Sequence, residues 1–116
     1  MAILPIAKEN RRFPRVDYNL PVRYQLGGKQ DFDNVLCNDI SCGGVRFISE
    51  RFIPTSTPVM LEINVLNRIL RPVGKISWST PVPHSDRNQI GVEFMDFNVL
   101  ERNYLKDFVD LQLGKI

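Results

Sequence analysis

The chain has 116 residues, of which 43% are apolar and 24% charged, and it carries a net charge of +2. That is enough for one globular domain with a single sizeable core, and the near-neutral total argues against a protein that coats nucleic acid by charge alone. No apolar run is long enough to cross a membrane, and "MAILPIA" is short and lacks the basic start of a secretory signal, so a cytoplasmic protein without membrane insertion is expected.

Residues 1–14 read as a flexible N-terminal arm. "PIAKEN" has no period, and Pro14 biases Phe13 toward extended backbone. The charge is concentrated here: residues 1–15 hold Lys8, Arg11, Arg12 and Arg15 against Glu9 alone. Beyond Glu9, only Asp17 offers these arginines an acidic neighbour in sequence.

Residues 15–116 read as one β-barrel domain with a C-terminal helix. Leu20, Val22, Tyr24 and Leu26 alternate with Arg23 and Gln25, which is strand period. "GGKQD" is turn chemistry, and "NVLCNDIS" and "GVRFIS" read as two strands around a glycine break. Val59, Leu61, Ile63 and Val65 alternate next. In "RILRPVGKISW", Leu70, Gly74, Ile76 and Trp78 fall on one face, and in "QIGVEFMDF" Ile90, Val92 and Phe94 do the same. Six short strands separated by turns predict a sandwich or closed barrel.

The period then changes. Leu100, Tyr104, Leu105, Phe108 and Leu111 follow helical spacing. Asn98 with Glu101 three residues on resembles a capping box, and Gly114 is a plausible stop. The fold class expected is mainly β: a six-stranded antiparallel β-barrel followed by one amphipathic helix that covers the barrel or meets another subunit, in a monomer or homodimer.

Several chemistries lack their parts. The two cysteines, Cys37 and Cys42, are too few for a structural zinc site, and His84 lies far away in a turn-like stretch. No metal is expected, and reduced thiols are expected in the cytosol, a regulatory disulfide being the alternative. With one histidine, no paired carboxylates in a motif and no nucleophile elbow, no enzyme is expected.

Two stretches carry chemistry. "RRFPR" places Arg11, Arg12 and Arg15 on the arm. A guanidinium is planar, permanently charged and forked, and it can hold phosphate oxygens or the O6/N7 edge of guanine with paired hydrogen bonds. The bland alternative is a solvated basic tail. "DISCGG" places Asp39 and Ser41 two apart, on one face of an extended segment, before Gly43 and Gly44. The carboxylate can accept from the N–H groups on guanine's Watson–Crick edge, while the glycines allow a sharp turn and close approach to backbone. The bland alternative is a β-turn in which Asp39 and Ser41 satisfy local amides.

Taken together, the stretches resemble the PilZ domain family, the bacterial receptors for the second messenger cyclic di-GMP (c-di-GMP). The family pattern is R-x-x-x-R on an arm, then [D/N]-x-S-x-x-G on a barrel strand about twenty to thirty residues later. Arg11 and Arg15 match the first, and Asp39, Ser41 and Gly44 match the second. A strand ending "ISW" and a closing "IGVEFMDF" before a helix are also family-like, and the resemblance extends over roughly residues 9–112.

The resemblance implies nucleotide binding on the outer face of the barrel. Arg11 and Arg15 form the main clamp, with Arg12 auxiliary, Asp39 and Ser41 reading the base, and Gly43 and Gly44 keeping the backbone clear. Trp78 lies on a strand that can reach the ligand and stack on guanine, whereas its alternation with Leu70 and Ile76 argues for the core; both readings stand. Arg46 and Arg71 are further candidates on the surface. The resemblance leaves open one bound ligand or two. It implies an adaptor whose arm orders when the dianion arrives and which signals to an effector protein, itself unidentified. A nucleic-acid-binding barrel with a basic arm is the alternative, although charges outside the arm are mixed; a PilZ-like module that has lost its ligand is another.

Overall fold

The computed structural model describes residues 13–115, so Arg11 and Arg12 lie outside the described residues. Seven strands precede one helix in chain order: β1 (Pro21–Leu26), β2 (Asp33–Ser41), β3 (Gly44–Ser49), β4 (Pro58–Val65), β5 (Arg68–Leu70), β6 (Val73–Pro81), β7 (Asn88–Asp96) and α1 (Val99–Gln112). All pairings are antiparallel. The sheet runs β1-β2-β3-β7-β6-β4-β5, and an additional β1–β4 pairing closes it into a barrel.

Seven strands occupy six positions around that barrel. β4 pairs with β6 through Pro58–Met60 and with β5 through Ile63–Val65, so β5 and β6 form one interrupted line. The interruption falls at Arg71-Pro72, where proline has no N–H to give the ladder. The Pro72 carbonyl still accepts from Leu61 N–H at 3.1 Å.

Alternation fills the interior. Val22, Tyr24, Phe47, Leu61, Ile63 and Ile90 are among the buried residues, and the Tyr24 and Phe47 rings stack 4.7 Å apart. Each such side chain contributes roughly 1.5–3 kcal/mol on leaving water. Cys37 and Cys42 are free thiols. Cys37 sits in the core, where its thiol donates to the Tyr18 carbonyl at 3.0 Å. Burial pushes both thiols' pKa above the ordinary 9.0, away from the thiolate form.

The helix caps form as the sequence suggests, with one change. Asn98 Oδ1 accepts from the N–H groups of Leu100 and Glu101 at 2.9 and 3.1 Å. Glu101 does not complete a reciprocal box; its carboxylate accepts from Arg71 N–H at 2.7 Å and pins the first helical turn to the β5–β6 break. At the other end Gly114 takes φ +75°, and Lys115 and Gly114 N–H bond the Asp110 and Leu111 carbonyls, a Schellman closure.

The buried stripe is Leu105, Phe108 and Val109. It is rotated roughly a quarter turn from the expected stripe centred on Tyr104. Leu100 and Leu111, expected to face inward, are 71% and 53% exposed. The docking contact explains the rotation: Phe108 meets Tyr18 edge-on at 5.1 Å, so the helix turns the 105/108/109 face toward the segment entering β1.

Candidate functional site: a cross-strand row on the outer face of the barrel

Strand alternation would carry Asp39 and Trp78 into the core. Two bulges prevent this. On β2, Cys37 pairs with Phe47 and Asp39 with Arg46, so two steps on β2 answer one on β3. Cys37 faces inward and is buried, and the extra residue, Asn38, turns Asp39 and Ser41 outward while Ile40 returns to the core. On β6, Ile76 pairs with Val92 and Trp78 with Gly91, again two steps to one. Ile76 points in and Trp78 points out. The extra residue there, Ser77, bonds the Gly91 carbonyl at 3.1 Å. Bulges re-aim side chains in this way.

The two bulges face each other across the sheet. Between them lies one row over four strands: Asp39 on β2, Arg46 on β3, Gly91 on β7 and Trp78 on β6. The alternation that placed Trp78 with Leu70 and Ile76 in the core is therefore not met. Trp78 is half-buried on the outer face, with its indole laid over Gly91, and a Cβ at residue 91 would overlap the ring. An exposed part of an indole packed on a glycine offers a surface on which a planar base can stack.

At the other end of the row, Asp39 is the centre of an ion cluster. Arg15 Nη1 reaches Oδ1 at 3.1 Å and Arg46 Nη2 reaches Oδ2 at 2.7 Å. The carboxylate is 7% exposed, against 41% for Arg15 and 31% for Arg46. Arg46 also donates to Gln89 Oε1 at 3.3 Å. The sequence offers the arm's arginines no acidic partner nearby beyond Glu9 and Asp17, whereas Arg15 is paired with Asp39, 24 residues away. The segment at Arg15 reaches Asp39 because Val16 and Ile40 exchange backbone hydrogen bonds of 3.0 and 3.1 Å, laying residue 16 along the part of β2 beyond its pairing with β1.

The remaining motif residues serve the hairpin between β2 and β3. Ser41 Oγ accepts from Gly43 N–H at 3.1 Å, so the hydroxyl both closes the turn and keeps its proton to donate. The glycines are filled by the protein itself. Phe13 lies on Gly43, where a Cβ would overlap its ring, and Gly44 abuts the Val92 carbonyl of β7. Phe13 is in turn covered by the Arg102 guanidinium, 5.6 Å from its centroid. Arg71 does not join this site; it pairs with Glu62 of β4 at 3.6 Å, beside Arg23.

Among the described residues the row lies on the open outer face of the barrel, and a pocket of about 310 Å³ beside it is lined by Phe13, Gly43 and Arg102. A groove of about 530 Å³ lies on another side, lined by residues such as Pro21, Arg23, Leu36 and Ile69, with none of the motif residues. Gln89, Gly91, Phe13 and Arg102 were not singled out by sequence reasoning. Only Gly91 left a signal, a glycine inside a strand pattern, which marks close approach. Among the described residues no cluster of His, Cys, Asp and Glu could hold a metal ion, and no helix among them is long and apolar enough to cross a membrane.

A closed six-stranded antiparallel barrel followed by a helix, with its polar row outside, defines a PilZ-type architecture. The profile of the PilZ domain matches residues 9–111, and the chain belongs to the PilZ domain family. Among solved structures, the inhibitor of motility MotI/DgrA of Bacillus subtilis superposes with a TM-score of 0.78 at 19% identity, over 90% of this chain and 52% of that one. The PilZ domain of YcgR from Escherichia coli, solved with c-di-GMP, gives 0.66 at 11% identity over 90% of this chain and 92% of that one. The K. pneumonia MrkH–c-di-GMP complex gives 0.69 at 17% identity, over 90% and 53%. The chain thus spans about half the length of MotI/DgrA and of MrkH. At these identities the likeness is one of fold. No curated protein matches the sequence.

Proposed function

We propose that this domain is a cyclic di-GMP receptor that takes the nucleotide on the outer face of β2, β3, β7 and β6. The observation that carries the reading is the row Asp39–Arg46–Gly91–Trp78 with Arg15 at its end. It brings cations, a carboxylate and an aromatic plane to one surface, the three chemistries that a compact dianion with two guanines requires. MrkH and YcgR have been solved with c-di-GMP on the same fold.

In this reading Arg11, Arg12 and Arg15 clamp phosphate oxygens and the O6/N7 edge of guanine. Asp39 gives up Arg15 to accept from guanine's Watson–Crick edge, the Ser41 hydroxyl adds a short donor, and Trp78 stacks. Gly43 and Gly44 let the arm and the β2–β3 turn approach this surface. Binding orders the arm, and arm plus nucleotide form the surface that an effector protein reads. The domain acts by binding, without catalysis or a cofactor, in the bacterial cytoplasm.

Calorimetry of the purified chain with cyclic di-GMP, with GTP and a short oligonucleotide as controls, tests the reading. Arg15→Ala removes a charge-assisted contact of about 1.5–3 kcal/mol, so affinity is expected to fall about tenfold or more. Wild-type affinity in Arg15→Ala, or equal affinity of the unmodified chain for the oligonucleotide, would sink it.

A further inference from the structure

The ion cluster contains two arginines in unequal positions. Arg15 has a single contact to Asp39, is the more exposed, and sits on the segment that leads into the arm. Arg46 stands inside the sheet, one strand from Asp39 in the row and one from Gly91. Its shorter bond takes the other carboxylate oxygen, and Gln89 holds the same guanidinium from the next strand. Its Nε is buried and finds no hydrogen-bond partner among the described residues. The guanidinium is thus set for Asp39 and Gln89 even though one donor goes unmet, a choice that packing alone does not favour.

From this asymmetry we infer that Arg46 is a positioning residue for the nucleotide site: it keeps Asp39 paired and aimed while Arg15 leaves to grip the ligand. The inference rests on the receptor reading above and deepens it. An almost fully buried carboxylate stripped of its only cation is strongly disfavoured. If Arg15 were the sole partner of Asp39, each binding event would strand that charge. With Arg46 fixed on the second oxygen, the exchange of Arg15 from carboxylate to phosphate or guanine leaves Asp39 paired. Arg46 itself need not touch the nucleotide. It acts through Asp39, and its effect should vanish when Asp39 is gone.

The test combines one double-mutant cycle in binding with two in unfolding, all on the full chain. In the first, cyclic di-GMP affinity is measured by calorimetry for the unmodified chain, Arg46→Met, Asp39→Ala and the double variant, with Arg46→Lys as the conservative replacement. Arg46→Met is expected to weaken binding about tenfold or more, and Arg46→Lys to regain most of that. In the Asp39→Ala background Arg46→Met should add less than about twofold. Additive losses would overturn the inference, since they would make Arg46 an independent ligand contact; so would an unchanged Arg46→Met or an Arg46→Lys no better than Met.

The unfolding cycles need no nucleotide. Urea unfolding of the same proteins, with Arg15→Ala alone and combined with Asp39→Ala, should give stronger coupling of Asp39 to Arg46 than to Arg15; the reverse order would overturn the inference. It also shows whether each variant folds; should Arg46→Met not fold, Gln89→Ala, expected to weaken binding several-fold, takes its place. If the unmodified chain does not bind cyclic di-GMP while the GTP and oligonucleotide arms behave as controls, the receptor reading fails and the exchange fails with it. Binding by the unmodified chain with Arg46→Met unchanged removes the role of Arg46 alone.

Discussion

Asp39 joins Arg15 and Arg46 to the row on the outer face. It is a carboxylate in the wall of a barrel, kept there because two guanidiniums reach it. Replacing it removes both the anchor of two arginines and, in the receptor reading, the acceptor for guanine's N–H pair. Asp39→Ala is therefore expected to weaken cyclic di-GMP binding more than Ser41→Ala, because its contact is charge-assisted. It should also narrow the preference over cyclic di-AMP, whose base lacks that donor pair. The same variant should lose stability on the order of 1–3 kcal/mol, since Arg46 is left facing a vacated partner. Measuring melting and discrimination together separates the roles: a lowered melting temperature with unchanged discrimination would leave Asp39 a structural anchor only. Gly91 offers an independent probe. A methyl group there overlaps the Trp78 indole, so Gly91→Ala should push the ring off its seat at about 1–3 kcal/mol. The expected signs are a shift in emission of the single tryptophan and weaker nucleotide binding in a protein that still melts cooperatively; unchanged emission would mean that the ring is not seated as described.

At the scale of elements, the strands were legible because alternation sustained over five or more residues fits a half-buried strand and does not fit a helix. The positions of Val22, Tyr24, Leu61, Ile63, Ile76 and Ile90 in the core follow from period alone. The bulges were not legible. One extra residue inverts the phase of everything beyond it, and neither Asn38 nor Ser77 is the glycine that would mark a bulge in the sequence. For Asp39 and Ser41 the two-residue spacing put them correctly on a common face, but which face was fixed by the bulge. For Trp78 the uncorrected phase pointed the wrong way. The helix shows a related limit: five apolar residues gave the period, yet Val109 is buried and Leu100 is not, because the docking partner Tyr18 selects the face. Its caps were readable, being local. Asn98→Ala should remove two hydrogen bonds at the helix start and lower stability by about 1 kcal/mol, or roughly 3–6 °C in melting temperature. An unchanged melting curve would show that the Glu101–Arg71 contact alone sets this end. Nucleotide affinity should stay as it was, since the row on β2, β3, β7 and β6 does not include the cap.

For the whole molecule, a closed barrel limits where a conformational signal can travel. The ladder is continuous around β1-β2-β3-β7-β6-β4, and such a wall does not bend cheaply, so a switch belongs on what is attached to it. The segment before Val16 is the candidate. Val16 and Ile40 already exchange two backbone hydrogen bonds, and Phe13 rests on Gly43 under Arg102, so the hinge of the arm is fixed near the motif of β2. Ordering further residues opposes binding by about 1–2 kcal/mol each, which restricts the change to a few positions next to the ligand. Amide hydrogen exchange with and without cyclic di-GMP measures this. Protection is expected to rise most from Arg15 toward the N-terminus, through residues 10–15. A smaller rise is expected over 38–44, where the β2–β3 ladder already holds most amides. Val16 and Ile40 should be protected before the nucleotide is added, and the helix at 99–112 should change little. Full protection of residues 10–15 without nucleotide would rule out ordering as the signal even if the ligand bound, and an equal rise in the helix would move the signal from the arm to the barrel–helix contact at Tyr18 and Phe108.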